Sequence, residues 1–229
     1  MLKERFQEEH CEGDWQIPIK EALMGEEEVV ELKVLKDYAL VNPPLREYIW
    51  ILVATEYFTK WVEAIPLHKA TGGAVANFIK ENIIVRFGVP HRIISDYGKP
   101  FVSSDVRKML EFYQVKHHQS SPYYPQGNGQ AEAMNKTLIK IISKMSQEYT
   151  GGWAMHLSDA LWAYRNSPKS TTGFSHFSLV YGTEVVSLAE KMTLSLRVMQ
   201  MQEKEKNEEV FAAERCEDLK GLDEKREKA

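Results

Sequence analysis

No stretch of the 229-residue chain approaches the ~20 consecutive apolar residues that a membrane span requires. The opening residues, MLKERFQEEHCEGD, are polar and acidic, which excludes a secretory signal as the reading of that segment. Cysteine is scarce. Cys11 and Cys216 stand near opposite ends in charged surroundings, so a disulfide framework is not expected and a reducing compartment fits better. Basic excess is lacking too, since the net charge is −4. Taken whole, that balance argues against a nucleic-acid partner.

Divided along the chain, the charge reads differently. Residues 1–32 hold 3 Lys and Arg against 10 Asp and Glu. Residues 33–190 hold 17 against 13, and residues 191–229 hold 9 against 10. The middle is therefore mildly basic and permits phosphate contacts. This gives three segments: a poorly ordered acidic leader over 1–32, a folded domain over 33–190, and a charged tail over 191–229 that is helical or disordered. With 43% apolar and 27% charged residues, the chain as a whole is globular in composition. His10-Cys11 is the leader's one adjacent pair of zinc-ligand types, and two ligands fall short of the four that a structural site takes.

The middle segment mixes two periodicities. Ile49–Ala54 is an apolar run suited to a buried strand, and Lys60–Pro66 reads as its antiparallel neighbour. Thr71 is placed to cap a helix carrying Val75, Phe78, Ile79 and Ile83 on one face, although Gly72-Gly73 weakens its first turn. A short apolar run, Ile93-Ile94, ends at Ser95-Asp96. A helix capped by Ser103 or Ser104 follows over about 105–113, then a strand over Val115–Gln119. Ser120–Gly129 is a loop by composition. From Gln130 to about Tyr149 the period is helical, with Leu138, Ile141, Ile142 and Met145 on one face, and a further helix spans about Trp153–Arg165. Strands first, then helices between later strands, indicate an α/β layered fold.

Two carboxylates stand out by position. Asp96 ends an apolar strand ahead of Gly98, and Glu132 opens a helix after a Pro- and Gly-containing loop, with thirty-five residues between them. Acids at the ends of rigid elements are what two-metal phosphoryl transfer needs, because the ions sit only about 4 Å apart. The plainer account is that Asp96 caps a turn and Glu132 favours a helix N-terminus. Spacing alone leaves both open.

Local motifs add to this. ILVATEYFTKWVEA (Ile51–Ala64), RFGVP (Arg86–Pro90), RIISDYG (Arg92–Gly98), SSPYYPQGNGQAEAMN (Ser120–Asn135) and TTGFSHFSLVYG (Thr171–Gly182) occur in this order. Together they resemble the integrase catalytic core of gypsy-type LTR retrotransposons over roughly residues 37–190. The resemblance implies an RNase H-like fold, a mixed five-stranded sheet flanked by helices. It also implies an Asp, Asp, Glu triad holding two Mg²⁺ or Mn²⁺ ions, and a polynucleotidyl transferase that processes and joins retroelement DNA ends to target DNA in the nucleus. An active form would be a homo-oligomer, with no membrane role. Asp96 and Glu132 match the second and third acids. The first lies about fourteen residues before the ILVA-like strand, and Asp37 precedes Ile51 by fourteen. Glu56 is a rival, read instead as a polar residue at a strand rim.

The resemblance also implies DNA contacts from Tyr124, Gln126 and Asn128 on the loop, and Asn135, Lys136 and Lys140 lie three, four and eight residues after Glu132, on its face of the helix, where they are candidates to reach the DNA. For these loop residues the alternative is an ordinary surface loop, and for Lys136 a solvated lysine or an i,i+4 partner of Glu132. His117-His118 on one strand point to opposite faces and cannot readily share an ion, so both read as structural. Trp61, Trp153 and Trp162 read as core residues.

Departures from the family pattern are several. Val34 stands where an aromatic is usual, Leu40-Val41 where Gly-Pro is usual, Tyr97 where a polar residue follows the second acid, and His176 where a proline precedes Phe177. They favour a degenerate copy and keep a second class of function open: a catalytically inactive integrase-derived domain that binds DNA or protein. An RNase H-type nuclease fits the Ser120–Asn135 motif less well.

Overall fold

A computed structural model describes residues 29–36, 48–119, 129–149, 152–169, 173–193, 195, 196, 198, 199 and 208–227, with the backbone alone for 34–36, 129–134, 208–211, 214, 223 and 227. Its centre is a five-stranded sheet of order β3-β2-β1-β4-β5. The strands are β1 (Val29–Lys36), β2 (Trp50–Glu56), β3 (Val62–Leu67), β4 (Arg92–Ser95) and β5 (Lys116–Gln119). The first three pair antiparallel, while β4 and β5 run parallel to β1, so the sheet is mixed as expected.

Strand alternation sends side chains to two cores, one on each face. Val30, Leu32, Leu52, Ala54 and Ile93 pack with Val75, Phe78, Ile79, Val106 and Leu110. Those helical residues come from α1 (Gly72–Phe78), the π-helical turn Ile79–Ile84 that continues it, and α3 (Ser104–Phe112). A short α2 (Val85–Phe87) closes the first of these before Gly88, whose φ of +104° suits glycine. On the other face, Ile51, Val53, Val62 and Ala64 pack with Leu138, Ile142, Leu157, Ala160, Leu161 and Tyr164. These belong to α4 (Gly129–Glu148) and α5 (Leu157–Asn166), which the 3₁₀ turn Trp153–His156 introduces.

Both expected caps are present. Thr71 accepts from the Ala74 amide and Ser103 from the Val106 amide. Gly72 has a packing reason as well. A Cβ built there would lie 2.0 Å from Ser103 Oγ, so the missing side chain lets α1 and the α3 cap meet. Edge strand β5 carries Lys116, His118 and Gln119 exposed, a polar rim that discourages pairing with another sheet.

Two readings change, and a third is refined. Strand β1 begins at Val29, so four residues assigned to the leader belong to the sheet. Trp162 is 53% exposed, not core. The buried positions of α5 are Leu157, Ala160, Leu161 and Tyr164, a helical stripe that position 162 does not share. The charged tail is helical over α7 (Glu208–Lys220) and α8 (Leu222–Glu227), one of the two forms expected of it, and it also touches the domain. Leu222 is buried, Arg226 Nε donates to the Leu179 carbonyl at 2.9 Å, and Arg215 donates to the Tyr181 carbonyl. Both acceptors lie on α6 (His176–Tyr181). Among the described residues no helix is long and apolar enough to cross a membrane.

Candidate active site

Strand β4 delivers Asp96 to the end of the sheet. Its Oδ1 accepts the Gly98 amide at 2.8 Å, a side-chain turn that folds the carboxylate back over the chain. A Cβ at Gly98 would lie 2.7 Å from that oxygen, so glycine makes the close approach possible. Below it Ser95 is buried; its hydroxyl donates to the Asp96 carbonyl and shares a 2.9 Å hydrogen bond with His117 Nε2. Burial, and then the neighbouring His118, hold His117 below the usual imidazole range and favour its neutral form. His117 is thus tied to the strand that carries the acid, while His118 is exposed. Tyr97, one residue on, is 57% exposed.

Glu132 lies in the first turn of α4, which begins at Gly129. That helix packs Leu138 and Ile142 against Ile51 and Val53, so its middle lies against the central strands. Asp37, Tyr124, Gln126 and Asn128 lie outside the described residues, as does the Glu132 side chain. Along α4 the two sides separate cleanly. Asn135, Leu138 and Ile142 are buried, whereas Lys136, Lys140 and Lys144 are exposed at successive intervals of four. Asn135 is only 4% exposed, and its Oδ1 lacks a partner among the described residues. It faces the protein interior, not an open surface, so the structure does not present it as a DNA contact.

Glu56 is otherwise engaged. Its carboxylate accepts the Phe58 amide at 2.8 Å, the Thr59 amide at 2.6 Å and the Thr59 hydroxyl. It pairs with Val30 at the start of β1, the end of the sheet away from Asp96. Glu56 is therefore a turn-forming residue.

The register of β1 decides which of its residues approaches Asp96. Val29 lies beside Arg92, Val30 beside Ile93, Glu31 beside Ile94 and Leu32 beside Ser95. One further step aligns residue 33 with Asp96, and residue 33 is lysine. Lys33 pairs with Val53 on the antiparallel side, and Val53 belongs to the core built with α4. Leu32 belongs to the opposite core. Lys33 therefore faces the layer that carries Glu132. This residue escaped the sequence reading, which assigned 1–32 to a leader and gave 33 no role. The signal was present in the alternation of Val30, Glu31, Leu32 and Lys33.

A pair of divalent ions asks for hard oxygen donors converging within a few ångströms. Asp96 and Glu132 have the right chemistry, and the backbone puts Asp96 after a strand and Glu132 in the first turn of a helix. The β1 position beside Asp96 offers an ammonium in place of a carboxylate, and so does not fit that requirement. Among the described residues, no three His, Cys, Asp or Glu side chains gather in a way that could hold a metal ion; Asp37 and the Glu132 side chain lie outside them.

Away from this end, edge strand β3 carries a buried ion network. Glu63 accepts from Trp61 Nε1 at 2.8 Å, from Arg86 Nη1 at 2.8 Å and from Arg165 Nη2 at 3.0 Å. Arg165 also donates twice to the Val62 carbonyl and lies 4.5 Å over the Trp61 ring. These contacts lock α5 to the sheet edge. They are structural, and they confirm Trp61 as a core residue.

A mixed sheet in this order, with an acid at the end of its fourth strand and another opening the helix that covers the sheet, defines the RNase H-like class of phosphoryl-transfer scaffolds. The family model described as integrase core domain matches residues 10–125, and the chain belongs to that family. It is 37% identical over 135 residues to the Gag-Pol polyprotein of Avian reticuloendotheliosis virus, covering 59% of this chain and 12% of that protein. It is 36% identical over 148 residues to the Gag-Pol polyprotein of Baboon endogenous virus (strain M7), covering 64% and 8%. Over 193 residues it is 29% identical to the Gag-Pol polyprotein of Feline leukemia virus, covering 78% and 11%. The chain thus spans about a tenth of the length of these relatives. Integrase core domains normally use divalent metals.

Proposed function

We propose that this chain is a DNA-end-binding integrase core from a gypsy-type retroelement, acting in the nucleus. Its ligands are the element's DNA ends and the target DNA. The observation that carries this reading is helix α4: beyond its first turn, which holds Glu132, it exposes Lys136, Lys140 and Lys144 one turn apart. A row of lysines leading away from the acidic end suits a phosphate backbone.

A second reading is the full family activity, in which Asp37, Asp96 and Glu132 would hold two Mg²⁺ or Mn²⁺ ions and a homo-oligomer would join paired ends. The thirty-five-residue interval between Asp96 and Glu132 favours it, and the lysine beside Asp96 counts against it.

The test is binding of a duplex carrying an element end, followed by fluorescence anisotropy across a salt titration. Lys136→Glu is expected to weaken binding about tenfold and to flatten the salt dependence by roughly one to two counterions, since a phosphate contact becomes a repulsion. Affinity and slope equal to those of the unmodified chain would remove α4 from the interface. Strand transfer in Mn²⁺ separates the two readings. Robust joining, abolished by Asp96→Asn, would establish the second.

A further inference from the structure

A carboxylate on the strand beside Asp96 would be placed to share a metal ion with it. Adjacent strands lie about 4.8 Å apart, and each residue advances about 3.3 Å along a strand. The β1–β4 register, extended by one step, puts Lys33 at that level. Glu31 lies two residues earlier, beside Ile94, and Asp37 four residues later in the chain. Lys33 also faces the layer that holds α4. An ammonium so placed offsets the negative charge of Asp96, part of the task a divalent ion performs in an active core.

We propose that Lys33 occupies the position of the first metal-binding carboxylate and serves as a built-in cation for Asp96, so that this core engages DNA ends without divalent ions. The inference rests on the integrase-core reading and concerns the same site. In consequence Asp96 binds no ion of its own. Mn²⁺ binding to the whole chain, followed by electron paramagnetic resonance and calorimetry, is expected to be the same for the unmodified protein and for Asp96→Asn. The acidic leader contributes equally to both.

Lys33→Asp is expected to add at least one bound Mn²⁺, and Asp96→Asn in the same chain to remove it again. Circular dichroism would establish that Lys33→Asp is folded. If it is not, the comparison of unmodified chain with Asp96→Asn decides alone. Asp96-dependent Mn²⁺ binding by the unmodified protein would overturn the proposal, and Asp37→Asn and Glu31→Gln would then identify the acid responsible. A folded Lys33→Asp without added Mn²⁺ would overturn it equally. DNA-end affinity measured in EDTA is a separate readout. Its absence in every chain would remove the DNA-binding function, while the metal comparison would still decide the role of Lys33.

Discussion

His176 stands where relatives favour proline, and the structure gives it specific work. It is 2% exposed, its Nδ1 donates to the Thr59 carbonyl at 2.9 Å, and its ring stacks on Tyr164 with centroids 4.5 Å apart. Burial, against the pull of that hydrogen bond, brings its pKa down to about 4. An unfolded histidine titrates near 6.5. The folded value is the lower one, so the stability from neutral His176 is fully present above about pH 6.5 and is lost as pH falls toward 4. Urea unfolding should therefore show a loss of up to about 3 kcal/mol across that window. His176→Phe keeps the stacked ring and removes the titration, so its profile should be flatter there. An equal acid slope in both chains would assign the loss to other groups.

The same buried environment raises Tyr164 far above the ordinary phenol range. The residue departing most visibly from the TTG motif is therefore an inter-element tie between α6 and the β2–β3 turn. Nothing about proline at that position would suggest this from sequence, because both partners of His176 are distant in the chain.

At the scale of elements, local signals were legible where they were self-contained. Ile51–Ala54 reads as a buried strand because nearly every residue is apolar, and Thr71 and Ser103 announce their helices through side chains that cap them. Strand β1 was not legible. Its alternating residues follow directly on Glu26-Glu27-Glu28, and its partners, β2 and β4, are remote in sequence. That miss matters for the site, since the register of β1 rather than spacing from Ile51 sets what lies beside Asp96. The backbone placement of Asp96 after a strand and of Glu132 in a first helical turn was legible from the flanking sequence. Gly72 illustrates the converse error. By propensity it weakens α1, yet its lack of a side chain admits Ser103. Gly72→Ala should lower stability by about 1–3 kcal/mol through overpacking, in spite of alanine's better helix propensity. A rise in the urea midpoint would show that α1 and α3 can separate without cost.

For the molecule as a whole, the tail is where charge composition misleads. Glu and Lys dominate residues 208–227, which suggested a solvated segment, but a few contacts suffice to dock it. Leu222 is 2% exposed, Arg226 and Arg215 bond carbonyls of α6, and the C-cap Gly182, with φ of +78°, lies against Arg215 and Leu219. A side chain at Gly182 would meet Arg215 and Leu219 at 3.5 Å, so the cap also shapes the tail's seat. Burying one leucine contributes about 1.5–3 kcal/mol, enough to hold the segment docked most of the time and too little to unfold the sheet if lost. Limited proteolysis should then cut the unmodified chain slowly within 208–227. Leu222→Asp should open that segment and speed cleavage there roughly ten- to a hundredfold, leaving the sheet and its two cores intact. Rapid cleavage of the unmodified chain at the same sites would return the tail to the free segment its composition suggested, and the α6 contacts would then carry no stabilising weight.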